Sequence, residues 1–257
     1  MSRQSPPPPS DTTARALRWA WLGIVPYATA WDLQRALASA RHDGALRDDV
    51  VVLLEHPPVY TMGRNGESRH LPGGPDALRA LGAEYADVDR GGSVTFHGPG
   101  QLVAYPILLL AQSFPIPRHP LHGDVVAYLR ALEAALIATA ARYGVAVERR
   151  PPYTGVWCDD SKLAAIGVKL ARGVTTHGVA LNVCTDLSWF DAVVPCGIDD
   201  ARVASLESLG ATGLTPQEIA PVLAAELAAV FGQRCAPLQA DSLAALRDLA
   251  ASVRNAA

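Results

Sequence analysis

The chain has 257 residues, 49% of them hydrophobic and 18% charged, which is enough apolar material for a substantial core and less charge than the usual ~25%. Lys and Arg number 22 and Asp and Glu 25, a net charge of −3. That balance argues against a sequence-independent nucleic-acid binder, which needs a basic surface to displace counterions from phosphate. No run approaches the ~18 consecutive apolar residues of a membrane-spanning helix; the richest, Ala20–Trp31 and Leu102–Ala111, are short and contain Pro26 and Pro106. Met1–Ser10 holds Arg3 and Pro6–Pro9 but no apolar stretch of the signal-peptide kind, so a cytoplasmic location is expected. Cys158, Cys184, Cys196 and Cys235 are then expected to be reduced. They form no C-x-x-C pair and no zinc-like cluster, so no metal is expected.

Residues 1–14 are rich in Pro, Ser and Thr and bury too little apolar area to offset ordering, which predicts a disordered tail ahead of a single domain over 15–257. Leu17–Leu22 reads as a strand and Tyr27–Arg41 as a helix carrying Trp31, Leu33 and Leu37. Val50–Leu54 is a continuous apolar run typical of a strand buried on both faces, stopped by Pro57 and Pro58. Gln101–Leu110 reads as another strand. Asp124–Tyr143 is the clearest helix, with Val125, Tyr128, Leu129, Leu132, Leu136 and Ala140 on one face and Gly144 as its stop.

Beyond it, Val145–Glu148, Gly155–Cys158, Leu163–Leu170 and Val174–Val183 read as strands, the last two joined by a hairpin turn at Ala171-Arg172-Gly173. Thr215-Pro216-Gln217-Glu218 is a capping box that opens a helix ending at Gly232, and Asp241–Val253 reads as a final amphipathic helix. Helices and hairpin strands interleave without regular β-α-β alternation, which predicts a mixed α/β (α+β) fold.

Three segments can carry chemistry. Arg90-Gly91-Gly92-Ser93-Val94-Thr95-Phe96-His97-Gly98-Pro99-Gly100-Gln101 sets four glycines around a threonine and a histidine. Glycines let a ligand approach the backbone, and exposed N–H groups bind a carbonyl, carboxylate or phosphate; a purely structural glycine-rich hairpin fits the same residues. The segment is neither GxxxxGK[ST] nor a dinucleotide fingerprint. Cys196 in Pro195-Cys196-Gly197 sits where a tight turn presents a thiol, although a free cysteine is more often a small buried hydrophobe. Lys162 opens the apolar stretch Leu163–Val168. It is either a solvated surface lysine or a cation that reaches a pocket and lowers a cysteine pKa. His177 is open in the same way, with strand-edge packing its default.

In combination these residues resemble the lipoyl(octanoyl) transferase family. The matching stretches are Leu54-Glu55-His56-Pro57-Pro58-Val59-Tyr60-Thr61-Met62-Gly63-Arg64, Arg90–Pro106, Lys162–Val168, His177–Val183 and Pro195-Cys196-Gly197. They occur in the family's order over most of residues 17–209, with Phe96 and Met62 as minor departures from it.

The resemblance implies a catalytic domain of the biotin and lipoate protein ligase fold. It implies Cys196 as acyl-thioester nucleophile and Lys162 as the residue that lowers its pKa. Arg90, Gly91, Gly92, Ser93, Val94, Thr95, Phe96, His97, Ala165, Ile166, Gly167, Gly178, Val179 and Ala180 then bind the acyl substrate, with no cofactor and no metal. The implied donor is octanoyl-acyl carrier protein. The implied acceptors are apo-lipoyl domains of 2-oxoacid dehydrogenase complexes and the glycine cleavage H protein, with no nucleic acid or membrane as partner. The competing readings are an ATP-dependent lipoate or biotin protein ligase, a non-catalytic acyl or lipoyl-domain binder, and a cysteine thioesterase.

Overall fold

The computed structural model describes residues 15–193, 202–238 and 243–252. The expected tail, residues 1–14, and Cys196 lie outside the described residues. In chain order the elements are β1 (Ala16–Ile24), α1 (Tyr27–His42), β2 (Asp49–Glu55), β3 (Val59–Met62), α2 (Gly74–Ala80), β4 (Glu84–Asp87), β5 (Val94–His97), β6 (Gln101–Ile107), α3 (Leu110–Ser113) and β7 (Pro115–Ile116). They continue with β8 (His119–Gly123), α4 (Val125–Arg142), β9 (Glu148–Arg150), β10 (Tyr153–Cys158), β11 (Ser161–Ala171), β12 (Val174–Asn182), β13 (Arg202–Val203), α5 (Pro216–Val230), β14 (Arg234–Pro237) and α6 (Leu243–Ser252).

Nine of the described strands form one mixed sheet in the order β14-β1-β2-β6-β12-β11-β10-β9, with β13 paired to β11. β1 runs parallel to both β14 and β2, and from β2 to β9 the neighbours are antiparallel. Successive side chains of a strand point to opposite faces, and both faces of this sheet are covered. Val51, Leu53, Leu102, Ala104 and Leu181 meet α4 and α5 on one side. Val50, Val52, Leu54, Val103 and Tyr105 meet α1 and Leu246 of α6 on the other. This is the expected mixed α/β architecture, and the double burial explains why β2 and β6 read as unbroken apolar runs. Among the described residues no helix is long and apolar enough to cross a membrane.

A second sheet, β4-β3-β5, packs Tyr60, Leu78, Val94 and Phe96 against Phe190 and Val193. Its strand β5 lies inside the glycine-rich segment, where the glycines mask any alternation. Two boundaries also differ from expectation. The strand from Gln101 ends at Ile107 instead of Leu110, because the Thr175 hydroxyl accepts from the Leu108 N–H at 3.0 Å and donates to the Pro106 carbonyl at 2.8 Å, replacing the ladder. Val145–Glu148 is no strand. Gly144 adopts φ +76 and the Val145 N–H returns to the Ala140 carbonyl, so these residues close α4 and pairing begins at Glu148. The hairpin between β11 and β12 turns at Arg172 (φ 50) and Gly173 (φ 78), the pair of positive angles that suits a two-residue connection.

The capping box at α5 is formed: Thr215 caps the Glu218 N–H and Glu218 returns to the Thr215 N–H at 2.9 Å. Thr215→Ala should therefore lower stability by about 1 kcal/mol without altering turnover. Urea unfolding beside an activity assay checks both.

Candidate active site

One cavity of about 680 Å³ is walled by β5 and the loop before it, by β6, β11 and β12, and by the start of α4. The loop is fixed from inside. Arg90 is buried, and its Nη2 donates to the carbonyl and the hydroxyl of Thr61, both at 2.7 Å, while Nη1 donates to the Gly91 carbonyl. The Gly91 N–H donates to the Val168 carbonyl at 2.9 Å, tying the loop to β11. Glycine keeps the fit close here: a Cβ on Gly167 would stand 3.0 Å from both Arg90 Cδ and the Gly91 oxygen, and the loop would have to give by a few tenths of an ångström.

The structure brings together on this cavity Arg90 to Thr95, His97, Lys162, Ala165 to Gly167 and Gly178 to Ala180. Phe96 is the exception among the described residues expected to contact substrate. Strand alternation turns it away from His97, and its ring stacks on Trp189 at 5.2 Å and meets Tyr60. Its role here is packing beneath the site. Residues not anticipated at the wall include Tyr27, Glu67, Arg69, His70, Val125, Leu129 and Tyr153. Val125 and Leu129 stood out in the sequence only as part of the apolar face of α4.

Three histidines cluster with Tyr27 and Tyr105 at ring separations of 5.1–6.5 Å. Their hydrogen bonds have a determined direction. His56 Nδ1 lies 2.6 Å from the Val25 carbonyl, which only accepts, so Nδ1 donates and Nε2 accepts from the Tyr105 hydroxyl at 2.7 Å. Asn182 donates to the Ala204 carbonyl at 2.9 Å and accepts from Gln101 Nε2, so Gln101 Oε1 faces His97 Nδ1 at 2.7 Å. His97 therefore donates from Nδ1 and keeps Nε2 as an acceptor.

His177 Nε2 donates to Asp89 at 2.9 Å. Burial lowers the His177 pKa despite the carboxylate, so this contact is a neutral donor on an anion and not an ion pair. Burial opposes the Asp89 carboxylate, yet hydrogen bonds from Lys169 and His177 outweigh it and lower the Asp89 pKa. Burial holds His97 well below the usual imidazole range, helped by repulsion between the two rings when both His56 and His97 are protonated and by the Arg90 charge, and burial brings His56 down to about 4. His177 also has φ 55, a left-handed backbone that costs a non-glycine residue about 1–3 kcal/mol.

Lys162 is 7% exposed and lies opposite Trp157 in the β10–β11 pair, with Nζ 4.7 Å from the indole centroid. In the chain Cys196 lies between the described residues Val193 and Val203. Val193 packs in the cluster that contains Phe96, and Val203 pairs with Lys162. Burial pushes the thiol pKa of Cys184 and of Cys235 upward, which disfavours the thiolate at both.

Residues 26–228 match the lipoyl protein ligase A/B catalytic domain. The octanoyltransferase of Rubrobacter xylanophilus is 51% identical over 187 residues, covering 72% of this chain and 80% of the relative. That of Gloeobacter violaceus is 46% identical over 215 residues, covering 84% and 90%. Among solved structures, a bipartite lipoate protein ligase of Thermoplasma acidophilum superimposes with a TM-score of 0.66 at 15% identity, covering 92% of each chain; this likeness bears on the fold. The chain belongs to the lipoyl protein ligase A/B catalytic domain family, among its octanoyltransferases. The fold expected from the motifs is the one found.

The neutral histidines make stability fall with acidity. As pH drops through 6.5 an unfolded histidine takes up a proton that folded His56 refuses until about 4. The unfolded state then binds more protons, and stability present above that window is lost within it, at up to about 1.4 kcal/mol per pH unit per group. His97 and His177 act in the same direction. Urea unfolding across the window should show this decline. His56→Asn, less stable at neutral pH for its lost hydrogen bonds, should show a shallower one, and an unchanged slope would assign the decline to other groups.

Proposed function

We infer that this protein is an octanoyltransferase of lipoate biosynthesis that moves the acyl group through a thioester on Cys196. The observation that carries this reading is convergence. Segments far apart in the chain, Arg90–His97, Lys162–Gly167 and Gly178–Ala180, meet at one cavity whose walls include Val103, Val125, Leu129, Ile166 and Val179, aliphatic surface suited to a medium acyl chain.

The donor is octanoyl on the phosphopantetheine thiol of acyl carrier protein. The Cys196 thiolate attacks its carbonyl, the C–S bond to the carrier breaks, and the carrier thiolate leaves. Exchange of one thioester for another is close to isoenergetic, so the barrier depends on the thiolate fraction and on stabilising the oxyanion. A cysteine at pKa ~8.5 is only a few per cent thiolate near neutrality. The Lys162 ammonium raises that fraction, and backbone N–H groups at the site serve the oxyanion. The acceptor is a lysine of an apo-lipoyl domain, on a 2-oxoacid dehydrogenase complex or the glycine cleavage H protein. Its amine attacks the Cys196 thioester, an amide forms, and the thiol is released. An amide is more stable than a thioester, so this half runs downhill without acid activation by ATP. The work is done in the cytoplasm by one domain over residues 15–257, with residues 1–14 dispensable.

Intact-mass analysis with octanoyl carrier protein, then apo-lipoyl domain, tests the reading. Without ATP, wild type should gain one octanoyl group and pass it to the domain. Cys196→Ser should do neither, and Cys235→Ser both. Lys162→Arg should retain more activity than Lys162→Ala, since it keeps the charge with altered reach. Transfer that requires ATP and free octanoate would make the protein a ligase. Transfer undiminished by Cys196→Ser would remove the covalent step.

A further inference from the structure

We propose that Trp157 is a positioning residue for Lys162: its indole face, set opposite the lysine by a β-bulge, holds the ammonium at the cavity wall. The proposal rests on the Lys162–Cys196 reading above and adds what aims the lysine.

The bulge is the first observation. Val156 pairs with Ala164, but the next residue, Trp157, pairs with Lys162, so Leu163 is an extra residue on β11. Leu163 and Ala164 both enter the core beneath α4 and α5. Under strict alternation Lys162 would share the face of Ala164 and point into that core. The inserted residue reverses its side, as bulges do where a side chain must be re-aimed. Lys162 and Trp157 then face each other as a cross-strand pair.

The second observation is the seat itself. Trp157 is fully buried, and Lys162 Nζ lies 4.7 Å from its ring centroid, inside the ~6 Å range of cation–π attraction, for which tryptophan is the strongest partner. Gly155, at φ +124 on the same strand, lies alongside: a Cβ there would stand 2.6 Å from the Ala164 carbonyl oxygen, so glycine is required for β10 to approach β11 at this point, and it would touch Lys162 Cε at an ordinary 3.4 Å. Its N–H donates to the buried Glu133 at 3.2 Å, which anchors β10 to α4. The Arg150 guanidinium also lies over the Trp157 ring, at 5.3 Å, and pairs with Asp160 at 2.7 Å. A large, immobile aromatic face thus constrains the end of a flexible four-carbon side chain, which by itself spreads over many rotamers.

The test is a double-mutant cycle read by alkylation of Cys196 in the full chain across pH. Trp157→Leu should slow alkylation at neutral pH by roughly threefold to thirtyfold, the span from a weak to a desolvated cation–π contact. In a Lys162→Ala background the same change should cause no further slowing. Trp157→Phe, which keeps a smaller aromatic face and the packing, should give an intermediate rate. In wild type the Lys162 side-chain protons should also carry an upfield ring-current shift, reduced in Trp157→Phe; this readout holds even where Trp157→Leu does not fold. A Trp157→Leu rate equal to wild type while Lys162→Ala is slow, or equal slowing in both backgrounds, would overturn the proposal alone. A Lys162→Ala rate equal to wild type would overturn the Lys162–Cys196 reading and, with it, this extension.

Discussion

The cavity depends on how closely three backbone segments approach one another where side chains are absent. At Gly178 a Cβ would stand 2.1 Å from the Ala104 carbonyl oxygen, and at Gly63 one would stand 2.4 Å from the Gly92 oxygen. Neither contact can be relieved by a rotamer, since the obstacle is main chain. With glycine at both positions β12 lies against β6, and the loop after β3 lies under the Arg90 loop, whose carbonyls accept the N–H groups of Arg64 and Asn65 at 3.0 Å. Arg90 then reaches Thr61 across that floor. Gly63 and Gly178 thereby act as one constraint on how closely the Arg90 loop, β6 and β12 pack around the cavity.

Much of this was legible in the sequence, and the limits have physical causes. β2 and β6 were visible because both sheet faces are covered, which makes the strands apolar throughout. α4 and the α5 capping box were visible because helix periodicity and terminal hydrogen bonding are local. The glycine-rich segment, Lys162 and the 178–180 strand were picked out by the family's motifs. The small sheet β4-β3-β5 was not, because four-residue strands beside prolines and glycines carry too little alternation. Gln101, Asn182 and Asp89 were also missed. Each acts by orienting another side chain over many residues of separation, and polar residues in strands leave no periodic signature. The Leu163 bulge shows the same limit: an inserted residue changes which face Lys162 occupies while leaving the apolar run intact.

Most of the polar atoms in the cluster of three histidines and two tyrosines are engaged within the protein. His56 Nδ1 is bonded to Val25 and its Nε2 to the Tyr105 hydroxyl. His97 Nδ1 is held by Gln101 and His177 Nε2 by Asp89. With those bonds turned into the protein, Tyr27, His97, Tyr105 and His177 line the cavity beside Val103 and Val179, and His56 is fully buried. The directions of the bonds reinforce the neutrality that burial imposes. A proton added to His56 Nε2 would meet the Tyr105 O–H as donor against donor, so protonation must break a bond of 2.7 Å as well as place charge in a desolvated site. Both costs fall on the same group, and both keep His56 neutral at neutral pH. The formal cations at the inner wall are then Arg90, committed to Thr61 and Gly91, and Lys162, seated on Trp157.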